Sequence, residues 1–318
     1  MAAISTLIYS AVIRGRNAVY DAGMFRAERL AGPVVSIGNI SVGGSGKTPF
    51  VICLGELLKQ RGIKFDVLSR GYRRQTQGVA IVETAGTAME FGDEPLLIAR
   101  QLGVPVVVGE SRYEAGLQAE KQFGPQLHLL DDGFQHRQLA RSFDIVLVTA
   151  QDLLDRMLPL GRLREPLTSL ARADAIVVPE ETAIPDSVVG GKPLWRVRRG
   201  IDLKDAPSRP IVFSGIARPK FFLEELQELG VQPAAEVIFR DHQKYGDAQI
   251  KRLLQAKSAS MADGFITTEK DVLNLGASIA ELGTVAVARV TMELLDAEAA
   301  LHLLINAVDA SPRRAKVG

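Results

Sequence analysis

The chain has 318 residues, 47% of them hydrophobic, so it is long enough for one large or two ordinary domains around a buried core. With 38 basic and 37 acidic residues its net charge is +1, and no overall basic field indicates a nucleic acid partner. The single cysteine, Cys53, excludes an intramolecular disulfide and is expected to be a buried thiol in a reducing compartment.

Residues 4 to 25 have the spacing of an amphipathic helix. Its charged residues, Arg14, Arg16 and Asp21, fall opposite an apolar face. That face comprises Ile4, Leu7, Ile8, Ala11, Val12, Ala18, Val19 and Ala22. Two outcomes are open, since the apolar face can pack on the protein's own domain or lie on an anionic bilayer surface. The sequence contains no apolar run of about 18 residues, so a membrane-spanning helix is not predicted.

The segment from residue 34 to residue 48 is typical of a phosphate-binding loop between a strand and a helix. Backbone N–H groups of its glycines can bind an anion, Lys47 can reach terminal phosphates, and the Thr48 hydroxyl can hold Mg²⁺. Ser41 stands where the common pattern has glycine, but the following residues, 49 to 60, have helical spacing. The predicted nucleotide-binding residues are Ser41, Val42, Gly43, Gly44, Ser45, Gly46, Lys47 and Thr48.

A second predicted strand, residues 64 to 69, ends in a basic turn that contains Arg70, Arg73 and Arg74. Ligands collect beyond the carboxyl ends of parallel strands, so this turn favours an anion site. A solvated basic turn is the alternative.

A short strand at residues 78 to 83 precedes a helix that Pro95 opens and that continues to residue 102. Asp93 and Glu94 stand directly before it, and composition alone favours a helix-capping role for either carboxylate.

Residues 127 to 130 predict a buried strand that ends in Asp131 and Asp132. Adjacent carboxylates repel each other unless a cation lies beside them, so both are predicted to bind Mg²⁺. In P-loop enzymes an acid at such a strand end holds the metal. Further strands at 104–108, 144–149 and 175–179 alternate with helices, which predicts an α/β fold with a parallel, doubly wound sheet.

The second half repeats the α/β pattern on a smaller scale. Strands are predicted at 211–214, 235–239 and 264–268, with helices at 221–229 and 250–256, and the residues after 271 are mixed with a polar tail. His242 follows a strand end, where clefts form. We divide the chain into an amphipathic helix (1–30), a core domain (31–205) and a smaller α/β lobe (206–318).

Eight motifs, in this order, resemble those of the tetraacyldisaccharide 4′-kinase family, which phosphorylates the lipid A precursor on the cytoplasmic face of the inner membrane of Gram-negative bacteria. They are GNISVGGSGKTP (38–49), SRGY (69–72), GDEP (92–95), DDGFQH (131–136), LREP (163–166), RAD (172–174), DHQKY (241–245) and TEKD (268–271). The resemblance also accounts for Ser41, whereas Arg73 stands where the family has glycine.

The resemblance implies a peripheral membrane kinase with two α/β lobes joined by a short β linker. Its cofactors would be ATP and Mg²⁺, its acceptor an acylated glucosamine disaccharide, and no nucleic acid or obligate protein partner is expected. It places the catalytic base on Asp93, and we expect His242 to orient Asp93 and Lys47 to hold the phosphates. The candidate acceptor-binding residues are Arg70, Tyr72, Asp93, Gln135 and His136.

The alternative function is a P-loop GTPase of the metallochaperone or protein-targeting kind, in which the TEKD motif reads the base. The order expected for guanine recognition is not met, because Glu269 separates Thr268 from Lys270. A catalytically dead binding module is disfavoured because Lys47, Thr48 and the acidic candidates are all present.

Overall fold

The structure is a computed structural model that describes residues 2 to 310, with side chains from residue 5 onward. The side chain of Ile4 and the polar tail after residue 310 lie outside the described residues. The helices are α1 (Ala2–Asp21), α2 (Lys47–Gln60), α3 (Ala88–Phe91), α4 (Asp93–Leu102), α5 (Arg112–Phe123), α6 (Ala150–Leu154), α7 (Asp186–Val189), α8 (Pro219–Glu228), α9 (Asp247–Ser260), α10 (Glu269–Leu275), α11 (Ile279–Leu282) and α12 (Ala297–Ala310), with 3-10 turns at Leu167–Arg172 and Gly276–Ser278. The strands are β1 (Val34–Asn39), β2 (Phe65–Ser69), β3 (Ala80–Ile81), β4 (Val106–Val108), β5 (Leu127–Asp131), β6 (Phe143–Leu147), β7 (Ala175–Pro179), β8 (Leu194–Asp202), β9 (Pro210–Ser214), β10 (Ala235–Ile238), β11 (Gly264–Thr268) and β12 (Val285–Leu294).

Within residues 2–310 the strands form one sheet in the order β10-β9-β11-β12-β8-β7-β6-β1-β5-β2-β4-β3. Pairing is parallel except for β3 with β4 and β8 with β12. Both faces are covered by helices: α2, α4 and α12 enclose the larger core, and α5 packs on the opposite face. The predicted parallel α/β sheet with helices on both faces is therefore confirmed.

The register of the central strands positions the site. In β1 and β5, Ile37 pairs with Asp131, and in β2 and β5, Leu68 pairs with Leu130. Parallel strands end at the same edge, so the turn after β1, the acids after β5 and the residues after β2 meet there.

The two lobes are joined through a single long strand. The first half of β12 pairs in parallel with β11, and its second half pairs antiparallel with β8. After β12 the chain returns to the first lobe, where Leu301 and Leu304 of α12 lie in the larger core. The division at residue 205 falls in the loop after β8 and remains a prediction, but α12 packs with the residues before that division rather than with those after it.

Three apolar residues of helix α1 are exposed to solvent. Leu7, Ile8 and Val12 are 71%, 60% and 62% exposed, whereas Asn17 is buried. The contacts of α1 with the rest of the molecule include the hydrogen bond from Asn17 Nδ2 to Glu165 Oε2 at 2.7 Å. These three apolar side chains therefore do not pack on the protein's own domain. None of the helices among the described residues is long and apolar enough to cross a bilayer.

Candidate active site

The phosphate loop has the local structure that the sequence predicts. β1 ends at Asn39 and α2 begins at Lys47, with a glycine-rich turn between them. Gly43, Gly44 and Gly46 have φ of +69°, +62° and +84°, which residues other than glycine rarely adopt. The turn can therefore direct successive N–H groups toward an anion.

Lys47 extends from this turn into a buried network of polar groups. Its Nζ donates to Asn39 Oδ1 at 3.1 Å and lies 3.4 Å from Asp132 Oδ1. Arg164 binds both oxygens of Asp132, at 2.7 and 3.0 Å. Burial alone would raise the pKa of Asp132, but Lys47 and Arg164 hold it well below its usual range. Asp132 is therefore an anion already shared by two cations.

Asp131 has a different environment from its neighbour. It is 2% exposed, and its Oδ2 accepts a hydrogen bond from Ser69 Oγ at 3.0 Å. Burial and the charges of Glu94 and Asp132 raise the pKa of Asp131 to about 7. Among the described residues no group donates to its buried Oδ1. Such a crowded, undersatisfied carboxylate favours a nearby cation.

The oxygen atoms here fit Mg²⁺ bound jointly by protein and phosphate. Asp131 Oδ1 is unsatisfied, and the buried Thr48 stands in the first turn of α2. Within the described part of the chain no group of three or more His, Cys, Asp or Glu forms a complete metal cage. Mg²⁺ is commonly held by one or two protein oxygens together with substrate phosphates, so this arrangement suits it.

Asp93 is the first residue of α4 rather than its cap. The N-cap is Gly92, with φ of +90°, and it makes no side-chain cap. Asp93 Oδ1 accepts a hydrogen bond from the N–H of Glu94 at 2.9 Å. Capping of α4 by a carboxylate at the N-cap position is therefore wrong, and Asp93 Oδ2 remains available to other partners.

His242 of the second lobe binds that oxygen. His242 Nδ1 lies 2.7 Å from Asp93 Oδ2, and the amide of Asn274 donates to the same oxygen at 3.3 Å. Burial alone would raise the pKa of Asp93, but the hydrogen bond from His242 and the charge of Lys270 lower it to about 2. The pKa of His242 is shifted upward by Asp93, against the effect of burial. The two therefore form an imidazolium–carboxylate pair across the lobes.

His242, the partner of Asp93, and the phosphate loop line one cleft. The cleft, of about 350 Å³, lies between the lobes. Its lining includes Lys47, Thr48, Glu94, His242 and Lys270, with the loop glycines. Residues that are more than 200 positions apart in the chain, such as Lys47 and Lys270, thus face the same space.

The other acceptor-binding candidates lie around this edge of the sheet. Tyr72 is 54% exposed, and its ring meets that of His242 edge-on at 5.6 Å. Gln135 Nε2 donates to Asn39 O at 2.8 Å. Tyr72 is therefore close to the Asp93–His242 pair, and Gln135 is hydrogen-bonded to the end of β1.

His136 belongs to a basic group that the sequence only partly indicates. Burial and the charges of Arg112, Arg141 and Arg70 lower the pKa of His136 to about 4. Arg112 and Arg141 are not signalled by any motif and were missed. Of the predicted basic turn, Arg70 contributes to this group, whereas Arg74 instead pairs with Glu110 at 3.2 Å. The three turn arginines therefore do not form one anion site.

The TEKD motif serves different purposes along its length. Lys270 forms an ion pair with Glu94 of the first lobe, a contact that sequence reasoning did not identify. Asp271 is fully buried, and its oxygens accept hydrogen bonds from Gly215 N–H, Tyr245 Oη and Thr268 Oγ1, at 2.8, 2.7 and 2.6 Å. An aspartate so engaged is not free to read a guanine base, so the GTPase alternative is not favoured.

Comparison with known proteins agrees with this geometry. The family model described as tetraacyldisaccharide-1-P 4′-kinase matches residues 2 to 309. A tetraacyldisaccharide 4′-kinase from Koribacter versatilis is 47% identical, covering 95% of this chain and 97% of the relative, and one from Geobacter metallireducens is 39% identical, covering 92% and 94%. A crystal structure of LpxK from Aquifex aeolicus in complex with ATP has a TM-score of 0.78 at 34% identity, covering 95% of this chain and 97% of that one. The chain therefore belongs to the tetraacyldisaccharide 4′-kinase family.

Proposed function

We propose that the protein transfers the γ-phosphoryl group of ATP to the 4′-hydroxyl of a tetraacyldisaccharide 1-phosphate in lipid A biosynthesis. The observation that carries the proposal is that His242, which is hydrogen-bonded to Asp93, lines the same cleft as the phosphate loop. The ATP-bound LpxK relative from Aquifex aeolicus supports ATP as the donor.

The residues of this chain can align and neutralise the reacting groups, which is most of what phosphoryl transfer requires. Lys47 and the N–H groups of the loop would bind the β- and γ-phosphates. Thr48 and Asp131 would hold Mg²⁺, with Asp132 close by. Bound Mg²⁺ would neutralise developing charge on the phosphate oxygens.

Asp93 would accept the proton of the attacking sugar hydroxyl. Its pKa of about 2 keeps it ionised at neutral pH, so it can orient the hydroxyl through a hydrogen bond. A loose transition state requires little proton removal before the phosphoryl group moves, so a weak base is sufficient. His242 and Asn274 hold the carboxylate in place from the second lobe.

The test is direct phosphorylation of the acceptor. Purified protein, γ-labelled ATP, Mg²⁺ and a tetraacyldisaccharide 1-phosphate in detergent should yield labelled lipid, and unlabelled GTP should compete poorly. Asp93→Asn should lower kcat at least about 100-fold with little change in ATP affinity, because only transition-state contacts are lost. Asp186→Asn is the matched control, since Asp186 is the first residue of α7 but exposed. Normal turnover in Asp93→Asn would contradict the assigned base.

We also propose that α1 binds the membrane surface peripherally, on the cytoplasmic face of the inner membrane. Leu7, Ile8 and Val12 are exposed on the outward face of α1, and Met24 and Phe25, 73% and 56% exposed, extend the apolar surface. An apolar helix face of this kind lies in the headgroup region of a bilayer.

Vesicle sedimentation tests the membrane proposal. Replacing Leu7, Ile8 and Val12 together by Ser should release the protein from vesicles of anionic phospholipid. Leu229→Ser, at a leucine that is 53% exposed in the second lobe, should leave binding unchanged. Equal sedimentation of the triple variant and the wild-type protein would reject the proposal.

A further inference from the structure

Arg218 brings a cation from the second lobe onto the phosphate loop. It is the residue before α8, in the turn that follows β9. A Cβ atom on Gly44 would lie 2.7 Å from Arg218 Cγ, 2.8 Å from Cδ and 2.9 Å from Nε. The arginine side chain therefore lies directly against the backbone of the loop, and Gly44 is required both by its φ of +62° and by this approach.

Arg218 differs from two neighbouring arginines, Arg162 and Arg199, because its side chain has no hydrogen-bond partner among the described residues. Arg162 donates to Val42 O at 2.7 Å, and both Nε and an Nη of Arg199 donate to the carboxylate of Glu225. Across residues 2–310 the side chain of Arg218 makes no hydrogen bond or ion pair, and its Nε is buried and unsatisfied.

The surroundings make this unpaired charge costly. Burial lowers the pKa of Arg218, and the nearby cations Arg162 and Arg199 lower it further, against the opposing charges of Asp152 and Asp155. A half-buried guanidinium without a hydrogen-bond partner loses part of its hydration, and no hydrogen bond among the described residues replaces it. An anion that binds here would supply the partner that the Arg218 guanidinium lacks.

We propose that Arg218 binds the phosphate chain of the nucleotide together with the loop. The identity of the ligand rests on the proposed function, but the side chain itself lines the cleft beside the loop glycines. A guanidinium matches phosphate oxygens in geometry and charge, and an arginine supplied by a second element stabilises phosphates in other P-loop proteins. One ligand would then contact both lobes, so nucleotide binding would hold the second lobe against the loop.

The test measures binding rather than turnover, so it stays informative even if the lipid is not phosphorylated. Dissociation constants of ATP, ADP and adenosine are measured by displacement of a fluorescent ATP analogue. Arg218→Ala should weaken ATP and ADP roughly 10- to 100-fold, as expected for loss of a charged hydrogen bond, and change adenosine less than about twofold. Arg218→Lys should recover part of the loss.

Arg252→Ala is the control, since Arg252 is an exposed arginine of the same lobe that packs over Phe239, outside the cleft. Unchanged affinity of Arg218→Ala for ATP would overturn the proposal. An equal loss for adenosine and ATP would also overturn it, because Arg218 would then act on the base or on the fold. Should the alanine variant unfold, the same comparison is made with Arg218→Gln. Normal nucleotide behaviour without lipid labelling would instead refute the proposed function and leave the assignment of Arg218 standing.

Discussion

A buried ion pair between β2 and β5 makes the free energy of unfolding depend on pH. His128 of β5 and Asp66 of β2 are both fully buried. His128 Nδ1 lies 2.9 and 3.0 Å from the oxygens of Asp66, and its Nε2 lies 3.4 Å from Glu120 Oε1. Because each ring nitrogen faces a carboxylate, the protonated imidazolium is the form that this geometry satisfies.

The magnitude follows from the pKa of His128. Burial alone would lower it, but Asp66 and Glu120 raise it from 6.5 to about 9. That difference corresponds to at most about 3 kcal/mol of unfolding free energy. Since the folded pKa lies above the unfolded value, the stabilisation is complete below about pH 6.5 and is lost as the pH rises through about 9.

The assay is urea denaturation at several pH values between about 6 and 9.5, on the wild-type protein and on the double variant Asp66→Leu/His128→Leu. A buried ion pair can often be replaced by hydrophobic residues without loss of stability, so the double variant should fold. Other groups titrate in both proteins, and the difference between the two curves isolates the pair. Single replacement His128→Leu leaves Asp66 unpaired and should cost about 3–5 kcal/mol. Parallel curves for the wild-type protein and the double variant would refute the reasoning.

Three further predictions concern positions away from the chemistry. Gly38→Ala should lower the free energy of unfolding by about 1–3 kcal/mol, because its Cβ would lie 2.7 Å from the backbone nitrogen of Phe134; an unchanged urea midpoint would contradict this. The pKa of Cys53 is raised from 9.0 to about 11, chiefly by burial. At pH 8 the thiol should therefore react with a thiol reagent roughly 100-fold more slowly in the folded than in the unfolded protein, measured by the absorbance of the released thiolate. Equal rates would exclude the pKa shift. Asn17→Leu should cost about 1–3 kcal/mol in urea denaturation by removing a buried donor from Glu165, and no loss would show that α1 docks by other contacts.

Local patterns were sufficient to predict the phosphate loop and its flanking elements. The turn glycines, Lys47 and the apolar strand before them are adjacent in the chain, so their spacing alone specifies strand, turn and helix. Helix α5 has equally local determinants, because Ser111 caps its start and Gly124, with φ of +53°, ends it.

Long-range contacts account for what the sequence did not disclose. β12 was not predicted, since its role is to pair with β11 and then with β8, and pairing partners are not visible in a local pattern. The hydrogen bond between Asp93 and His242 joins residues 149 positions apart, and only the family resemblance brought them together. Arg218 carries no motif, and its role depends on the path by which β9 leads back to the loop.

The charges of the cleft explain why a nucleotide would engage both lobes. Four cations of the cleft already face carboxylates in the structure: Lys47 with Asp132, Lys270 with Glu94, His242 with Asp93, and Arg199 with Glu225. A phosphate chain must compete with a directly paired carboxylate for each of these, whereas among the described residues Asp152 and Asp155 act on Arg218 only through their charge, without a hydrogen bond or ion pair. Arg218 is thus the cation that a phosphate can reach without breaking an existing pair. Because Arg218 belongs to the second lobe, that contact would hold both lobes on one ligand even while Lys47 stays paired with Asp132.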